Sequence, residues 1–420
     1  MVMSATKTEA APKKDLRYYS LDFWRGVACL MVAILHSTPY VTENPAHVHG
    51  NIISKRIFTL FSQGWIGVPI FFVISGYCIA AACEGAMKKG MSTRTYFFRR
   101  FKRIYPPFWI VLLLLIAMHL AFRFFSGSGA DYLADSICPM PTPWTMSHWQ
   151  WLGTFTLTEG WRDHFIGEPS RFFLVPAWSL GYEEQFYFVC GVAMLFGRKW
   201  FYRSLTALSV AVLGIVLVND FWADLPVEGF FFDGRWLMFA AGVLVFYVLQ
   251  FGTDRSRKGA FCLLGIASFL ALACMFVPHS KIDEQILSSL PFAMLLIVLF
   301  KYDRKIQESR WLRPVTFCGV MCYSLYLVHL PVVKVMTQIF YRAGVHGEWA
   351  TLFLSIPVSV LIAVVIAWGF HCLVERRFLN TPPVIPGASK KSRQEVPVAD
   401  NPQPSTVPAP TISRDSQQAV

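Results

Sequence analysis

The sequence predicts an all-α protein: a polytopic transmembrane helix bundle of about ten spans, with both termini in the cytoplasm. Three observations carry that prediction. Hydrophobic residues make up 55% and charged residues 15% of the 420, whereas soluble domains carry roughly 25% charged residues. Windows of about 20 residues with almost no charge recur along the chain, each long enough to cross roughly 30 Å of hydrocarbon as a helix. The connecting segments alternate between rich and poor in Lys and Arg, the pattern that orients helices across a membrane. Short strands of alternating polarity are absent, so an outer-membrane barrel is not expected.

The spans fall at about 21–40, 65–83, 106–125, 180–197, 202–219, 230–250, 260–277, 284–300, 315–335 and 351–373. Lys13, Lys14 and Arg17 precede the first, and Lys88, Lys89, Arg94, Arg99, Arg100, Lys102 and Arg103 fill the loop after the second. Later alternate loops carry Arg198 to Arg203, Arg255 to Lys258 and Lys301 to Arg313, and the last span is followed by Arg376 and Arg377. The intervening loops are poor in basic residues, which places both termini inside. The first apolar stretch follows roughly 20 polar residues and has no A-x-A site, so it reads as a retained anchor rather than a signal peptide.

The net charge of +12 is gathered beside apolar spans instead of along one soluble face. The expected partner is therefore the lipid bilayer and not nucleic acid. Only Cys138 among ten cysteines lies in a long polar loop, so neither a disulfide framework nor a metal site is expected. The segment 126–179 is rich in Trp, Pro and Gly, which fits an ordered interfacial loop, a sugar-stacking surface or an aromatic belt at the headgroups. Three regions result: a cytoplasmic N-terminal segment 1–19, a transmembrane domain 20–380, and a disordered cytoplasmic tail 381–420 rich in Pro, Ser, Thr and Gln.

Ionisable groups inside a span are costly and mark functional candidates. Arg25 and His36 stand 11 residues apart in LDFWRGVACLMVAILH, within about 20° of whole turns and about 16 Å along the axis, so they share a face at different depths. On their own they also read as a snorkelling Arg paired with Asp22 and a structural His. The fourth span, AWSLGYEEQFYF, brings Glu183 and Glu184 to a depth similar to that of His36, and Glu183 shares its face with Tyr187. The ninth adds Tyr326 and His329. The run RRFKRIYPPFW reads either as a topology determinant or as a site for a polyanionic ligand, because guanidinium groups bind phosphate bidentately.

Taken together, Arg25 with His36, GVPIFFVISGYCIA around Ser75, RRFKRIYPPFW with Arg100 and Arg103, WSLGYEEQFYF, RWLMFAAG from Arg235, YSLYLVHLP around His329 and VERRFL at Glu375 resemble the membrane-bound acyltransferase-3 family. That family includes bacterial O-antigen and exopolysaccharide O-acetyltransferases. The seven elements occur in order over about 20–380; the Gly181-Tyr182 pair before Glu183 departs from the pattern, and the residues after the last span are not expected to form an SGNH-type esterase domain. The resemblance implies transfer of an acyl group, acetyl above all, from cytosolic acetyl-CoA to a hydroxyl of a glycan at a site in a bacterial inner membrane. Acyl-CoA would act as a co-substrate, with no tightly bound cofactor expected. His36 would be the general base, oriented by Glu183 or a neighbouring polar group, with Arg25 at the donor carbonyl. Arg100, Arg103 and Ser75 would bind the donor, and Glu184, Tyr187, Arg235, Tyr326 and His329 would line the acceptor cavity. Transfer is either direct or through an acyl-enzyme at His36. The rival reading is a transporter or flippase using the same buried charges, and it differs in forming no acylated product.

Overall fold

Backbone amides and carbonyls have no water to bond to inside a bilayer, so a chain this apolar closes its hydrogen bonds within helices. The computed structural model describes residues 18–38, 51–125, 141–221, 227–230, 232–276, 284–345 and 347–379, which are helical with no strand among them. They lie in one compact unit, Met1–Pro383. The predicted tail 381–420 and most of the predicted segment 1–19 lie outside the described residues.

The helices are α1 Leu21–His36, α2 Ile52–Ser62, α3 Gly67–Lys88 and α4 Thr93–Phe125. Two short helices, α5 His148–Thr156 and α6 Glu159–Ile166, precede α7 Ala177–Leu195 and α8 Arg198–Phe221. Then come α9 Arg235–Gln250, α10 Asp254–Met275, α11 Glu284–Leu299 and α12 Asp303–Glu308. The series closes with α13 Arg313–Val320, α14 Cys322–Arg342 and the rod α15 Glu348–Phe378, which contains π turns at Thr351–Ser355 and His371–Glu375.

Each predicted span overlaps one of these helices except the ninth, 315–335, which overlaps both α13 and α14. Six rods are long and apolar enough to cross a membrane: Ile52–Lys88, Thr93–Phe125, Arg198–Asp220, Asp254–Met275, Glu284–Glu308 and Glu348–Phe378. Helices α13 and α14 make a seventh if counted as one bent span. By contrast α1 and α9 have 16 residues each, only about 24 Å of helix. Helix α7 has 19 residues and carries Glu183 and Glu184 in its second turn.

Two details differ from the sequence expectation. The basic stretch before Pro106 is not a loop but the opening turns of α4, which runs from Thr93 through Pro106 and Pro107. Prolines remove two backbone donors there without ending the helix, and close by Tyr323 of α14 donates to the Ile104 carbonyl at 2.7 Å. The ninth span is not straight: the chain turns at Met321 (φ −102°, ψ 24°) and α13 meets α14 at 88°.

Packing fixes α1 at the centre. No side chain caps its start. Instead the two carboxylate oxygens of Asp303 accept from the Tyr19 and Ser20 amides at 2.7 Å each, taking up donors that a helix N-terminus leaves over and placing a negative charge at its positive end. Further along, α1 crosses α13 with backbones in contact: a Cβ on Gly319 would lie 1.5 Å from the Asp22 carbonyl oxygen, and one on Gly26 would lie 1.9 Å from that of Val315. Lipid tails are as apolar as leucine, so close packing of small residues, rather than withdrawal from solvent, holds such helices together. Beside this crossing, Phe186 of α7 stacks on Phe239 of α9 at 4.2 Å and meets Phe72 of α3 at 5.7 Å.

Gly319→Ala is expected to destabilise the protein by at least the roughly 1–3 kcal/mol typical of an overpacked core, because the clash is with backbone. Gly214→Ala, where a Cβ meets nothing within 4 Å, is expected to be neutral or slightly stabilising. Thermal unfolding of both variants in nanodiscs checks this; equal melting midpoints would show that α1 and α13 are not locked.

Candidate active site

The end of α1 and the middle of α14 bring two histidines together. His36 Nδ1 lies 3.0 Å from His329 Nε2, with the rings 5.2 Å apart and 28° from parallel. His329 is 2% exposed. Its Nδ1 lies 3.0 Å from the Leu325 carbonyl oxygen and 2.8 Å from that of Tyr326. Carbonyl oxygens only accept, which assigns the proton to His329 Nδ1 and leaves its Nε2 as an acceptor. His36 therefore donates from Nδ1, and its own Nε2 keeps a lone pair. Two backbone carbonyls thus set the tautomer of both rings.

Helix α7 is pinned beside this pair. Tyr326, one turn before His329, has its hydroxyl 2.7 Å from that of Ser179 and also donates to the Pro176 carbonyl. One turn further along α7, Glu183 accepts from Ser75 at 3.2 Å and from Tyr187 at 2.5 Å through Oε1. The sequence reading has Glu183 or a neighbouring polar group orient His36; in the structure His329 is the group within hydrogen-bond distance of His36, while Glu183 accepts from Ser75 of α3. Depth along a helix was legible, but the bearing of α7, fixed by Tyr326, was not. Glu184 Oε1 is buried with no hydrogen-bond partner among the described residues.

The remaining predicted residues continue a polar line through the bundle. The Arg100 guanidinium lies over the Tyr187 ring at 4.9 Å and the Tyr96 ring at 5.5 Å. Arg100 and Arg103 are half-buried, whereas Arg99 is exposed, so the basic stretch is split between an inward and an outward face of α4. Arg25 pairs with Asp22 at 2.7 Å and donates to Cys78 Sγ at 3.0 Å. Cys78 lies three residues from Ser75 on one face of α3. Arg25, Ser75, Glu183, Tyr187 and Arg100 therefore share one polar tract, while His36 and His329 stand together at its far end with Tyr326 between.

Arg235 lies elsewhere. It opens α9, pairs with Asp233 at 2.9 Å and donates to the Tyr182 hydroxyl at 3.0 Å; Tyr182 in turn donates to Asp233. Arg235 and Tyr182, with Trp178, whose ring lies 5.4 Å from the guanidinium, wall a cavity of about 260 Å³ between α6, α7 and the start of α9. Sequence reasoning missed Ser179, Tyr182, Asp233 and Lys334. The last two were findable as charges in or beside apolar spans: Asp233 is 7% and Lys334 7% exposed. The two hydroxyls give no such signal.

An acyltransferase domain model, that of the acyltransferase-3 family, matches residues 18–368. The O-acetyltransferase OatA of Staphylococcus aureus is 25% identical over 354 residues, 80% of this chain and 55% of the relative. The peptidoglycan O-acetyltransferase OatA of Listeria monocytogenes is 24% identical over 311 residues, 67% of this chain and 47% of the relative. The putative membrane-bound transacylase BcsY of Komagataeibacter xylinus is 23% identical over 327 residues, 75% of this chain and 79% of the relative. The chain spans about half the length of the two OatA relatives, and no solved structure matches it. With a family model covering most of its length and a bundle of membrane-crossing helices, this integral multi-pass membrane protein belongs to the acyltransferase-3 family.

Proposed function

We propose that this protein transfers an acetyl group from cytosolic acetyl-CoA to a hydroxyl of a glycan at the outer face of a bacterial inner membrane. The observation that carries the reading is the histidine pair, in which His329 fixes His36 as a base with a free Nε2 lone pair. A base so held needs no carboxylate to choose its tautomer. His36 Nε2 takes the proton of the acceptor hydroxyl as its oxygen bonds to the thioester carbonyl carbon. The carbon–sulfur bond then breaks, and the thiolate leaves and is protonated as coenzyme A.

Arg100 and Arg103 hold the coenzyme A phosphates at the cytoplasmic end, and the pantetheine arm runs inward past Glu183 and Ser75. Arg25 lies on that route, about 16 Å along α1 from His36, where its charge holds a polar group of the donor rather than the reacting carbonyl. The ten-span topology with both termini inside supports this direction, because the basic start of α4 and His36 then lie toward opposite faces. Names of relatives agree: OatA of two organisms is an O-acetyltransferase, on peptidoglycan in the Listeria protein. A transporter built on the same buried charges would form no acylated product.

Single cysteines at Gly90 and Ser256 are expected to label from the cytoplasm and those at Trp149 and Gly347 from outside; a swapped pair would refute the ten-span topology.

His36→Gln is expected to lower transfer of labelled acetyl from acetyl-CoA to glycan by about two to four orders of magnitude, with donor binding kept. His329→Phe, which removes the acceptor for His36 Nδ1, should lower turnover in the same direction without weakening donor binding. Full transfer by His36→Gln, or no acetyl transfer by the wild type, would defeat the proposal.

The double variant Arg100→Lys/Arg103→Lys keeps charge and loses the bidentate fork. Its apparent affinity for acetyl-CoA should fall roughly tenfold or more, about 1.4 kcal/mol, at unchanged abundance in the membrane. Unaltered donor affinity would confine these arginines to topology.

A further inference from the structure

The cavity at Arg235 has a chemistry of its own. Its volume of about 260 Å³ sits just below the roughly 300–1,000 Å³ usual for small-molecule pockets. Two of its walls are aromatic. Trp161 stacks on Phe230 at 5.7 Å and 25°, while Trp178 meets Tyr182 edge-on at 6.1 Å and 87°. Between them stand Gln185, Asp163, Glu228 and Arg235. Gln185 Nε2 donates to the Gly229 carbonyl at 2.7 Å, which fixes the amide with Oε1 as the remaining acceptor. Neither Gln185 Oε1 nor Asp163 Oδ1 has a hydrogen-bond partner among the described residues.

The frame is rigid. Gly229 has φ +83°, and a Cβ there would lie 1.8 Å from the Gly160 carbonyl oxygen, so the segment before α9 is pressed backbone to backbone against α6. The Gly229 amide donates to Tyr182 at 2.9 Å. A cavity shaped before its ligand arrives loses little to ordering on binding.

We propose that this cavity is a saccharide-binding subsite, holding a sugar unit of the acceptor beside the one that is acylated. The role as acceptor subsite rests on the transfer reading above; binding of sugar does not. Flat apolar ring faces and edge hydroxyls are what a pyranose presents, and aromatic faces interleaved with amide and carboxylate acceptors match them. The donor does not fit: Asp163 and Glu228 repel phosphates, and Arg235 is already paired with Asp233. A lipid tail would leave the polar wall without hydrogen bonds. The cavity and the histidine pair flank the same turn of α7, where Trp178 lines the cavity and the adjacent Ser179 meets Tyr326.

Intrinsic tryptophan fluorescence of the full chain in nanodiscs, titrated with cellotetraose and with N-acetylchitotetraose, tests the subsite. At least one is expected to bind saturably at millimolar concentration or below. Trp161→Ala and Gln185→Leu should each weaken that binding about tenfold, as loss of an aromatic face or a buried hydrogen bond does. Trp161→Phe, which keeps the ring, should restore most of it and guards against misfolding. His36→Gln should bind the sugar as wild type does. Saturable binding together with absent acetyl transfer would leave the subsite standing and remove the acyltransfer reading. Failure of both oligosaccharides to bind, displacement by coenzyme A, or wild-type binding by Trp161→Ala and Gln185→Leu would overturn the subsite.

Discussion

Everything in the site depends on how closely α1 approaches α13. With the Asp22 carbonyl seated on Gly319 and that of Val315 on Gly26, α1 can neither slide nor rotate, and Asp303 holds its first amides. The 88° turn after Val320 then sends α14 along the far half of α1. Because α1 is a single rigid helix, a lock at Asp22 and Gly26 sets the position of His36 several turns away. A histidine pair 3.0 Å apart tolerates little error, which is why the crossing uses glycine on both sides.

A second constraint is that charges in a low-dielectric interior need partners. Arg25 has Asp22 and Cys78, Glu183 has Ser75 and Tyr187, and Asp233 has Arg235 and Tyr182. Glu375 on the π turn of α15 accepts from Ser324 at 2.5 Å and lies 2.8 Å from His371 Nδ1. Each set joins different helices, apart from the partners supplied one turn away on the same helix. Polar bonding and helix packing are therefore one design, since removing a partner exposes a buried charge as well as loosening a contact.

Much of this was legible in the sequence, and the boundary is physical. Apolar windows and loop charges gave the helices in order, and the cost of burying charge in an apolar span was enough to single out Arg25, His36, Glu183 and His329. Helical periodicity also put Arg25 and His36 on one face. What periodicity does not give is the helix that a face meets. His36 and His329 are 293 positions apart, and nothing local distinguishes that partner from Glu183. The helical start of α4 was hidden by its charge, because basic residues gathered between two apolar windows read as a connecting loop, whereas they open the helix that runs on through Pro106 and Pro107. The bend at Met321 has no marker of its own in the sequence.

The two 16-residue helices at the centre, α1 and α9, carry a consequence for the membrane itself. Each spans about 24 Å, while the hydrocarbon around the peripheral helices is about 30 Å thick. Helices that short leave several ångströms of hydrocarbon to be met by their flanking residues or by local thinning of the bilayer, and either adjustment brings water and headgroups nearer to the polar residues carried on α1.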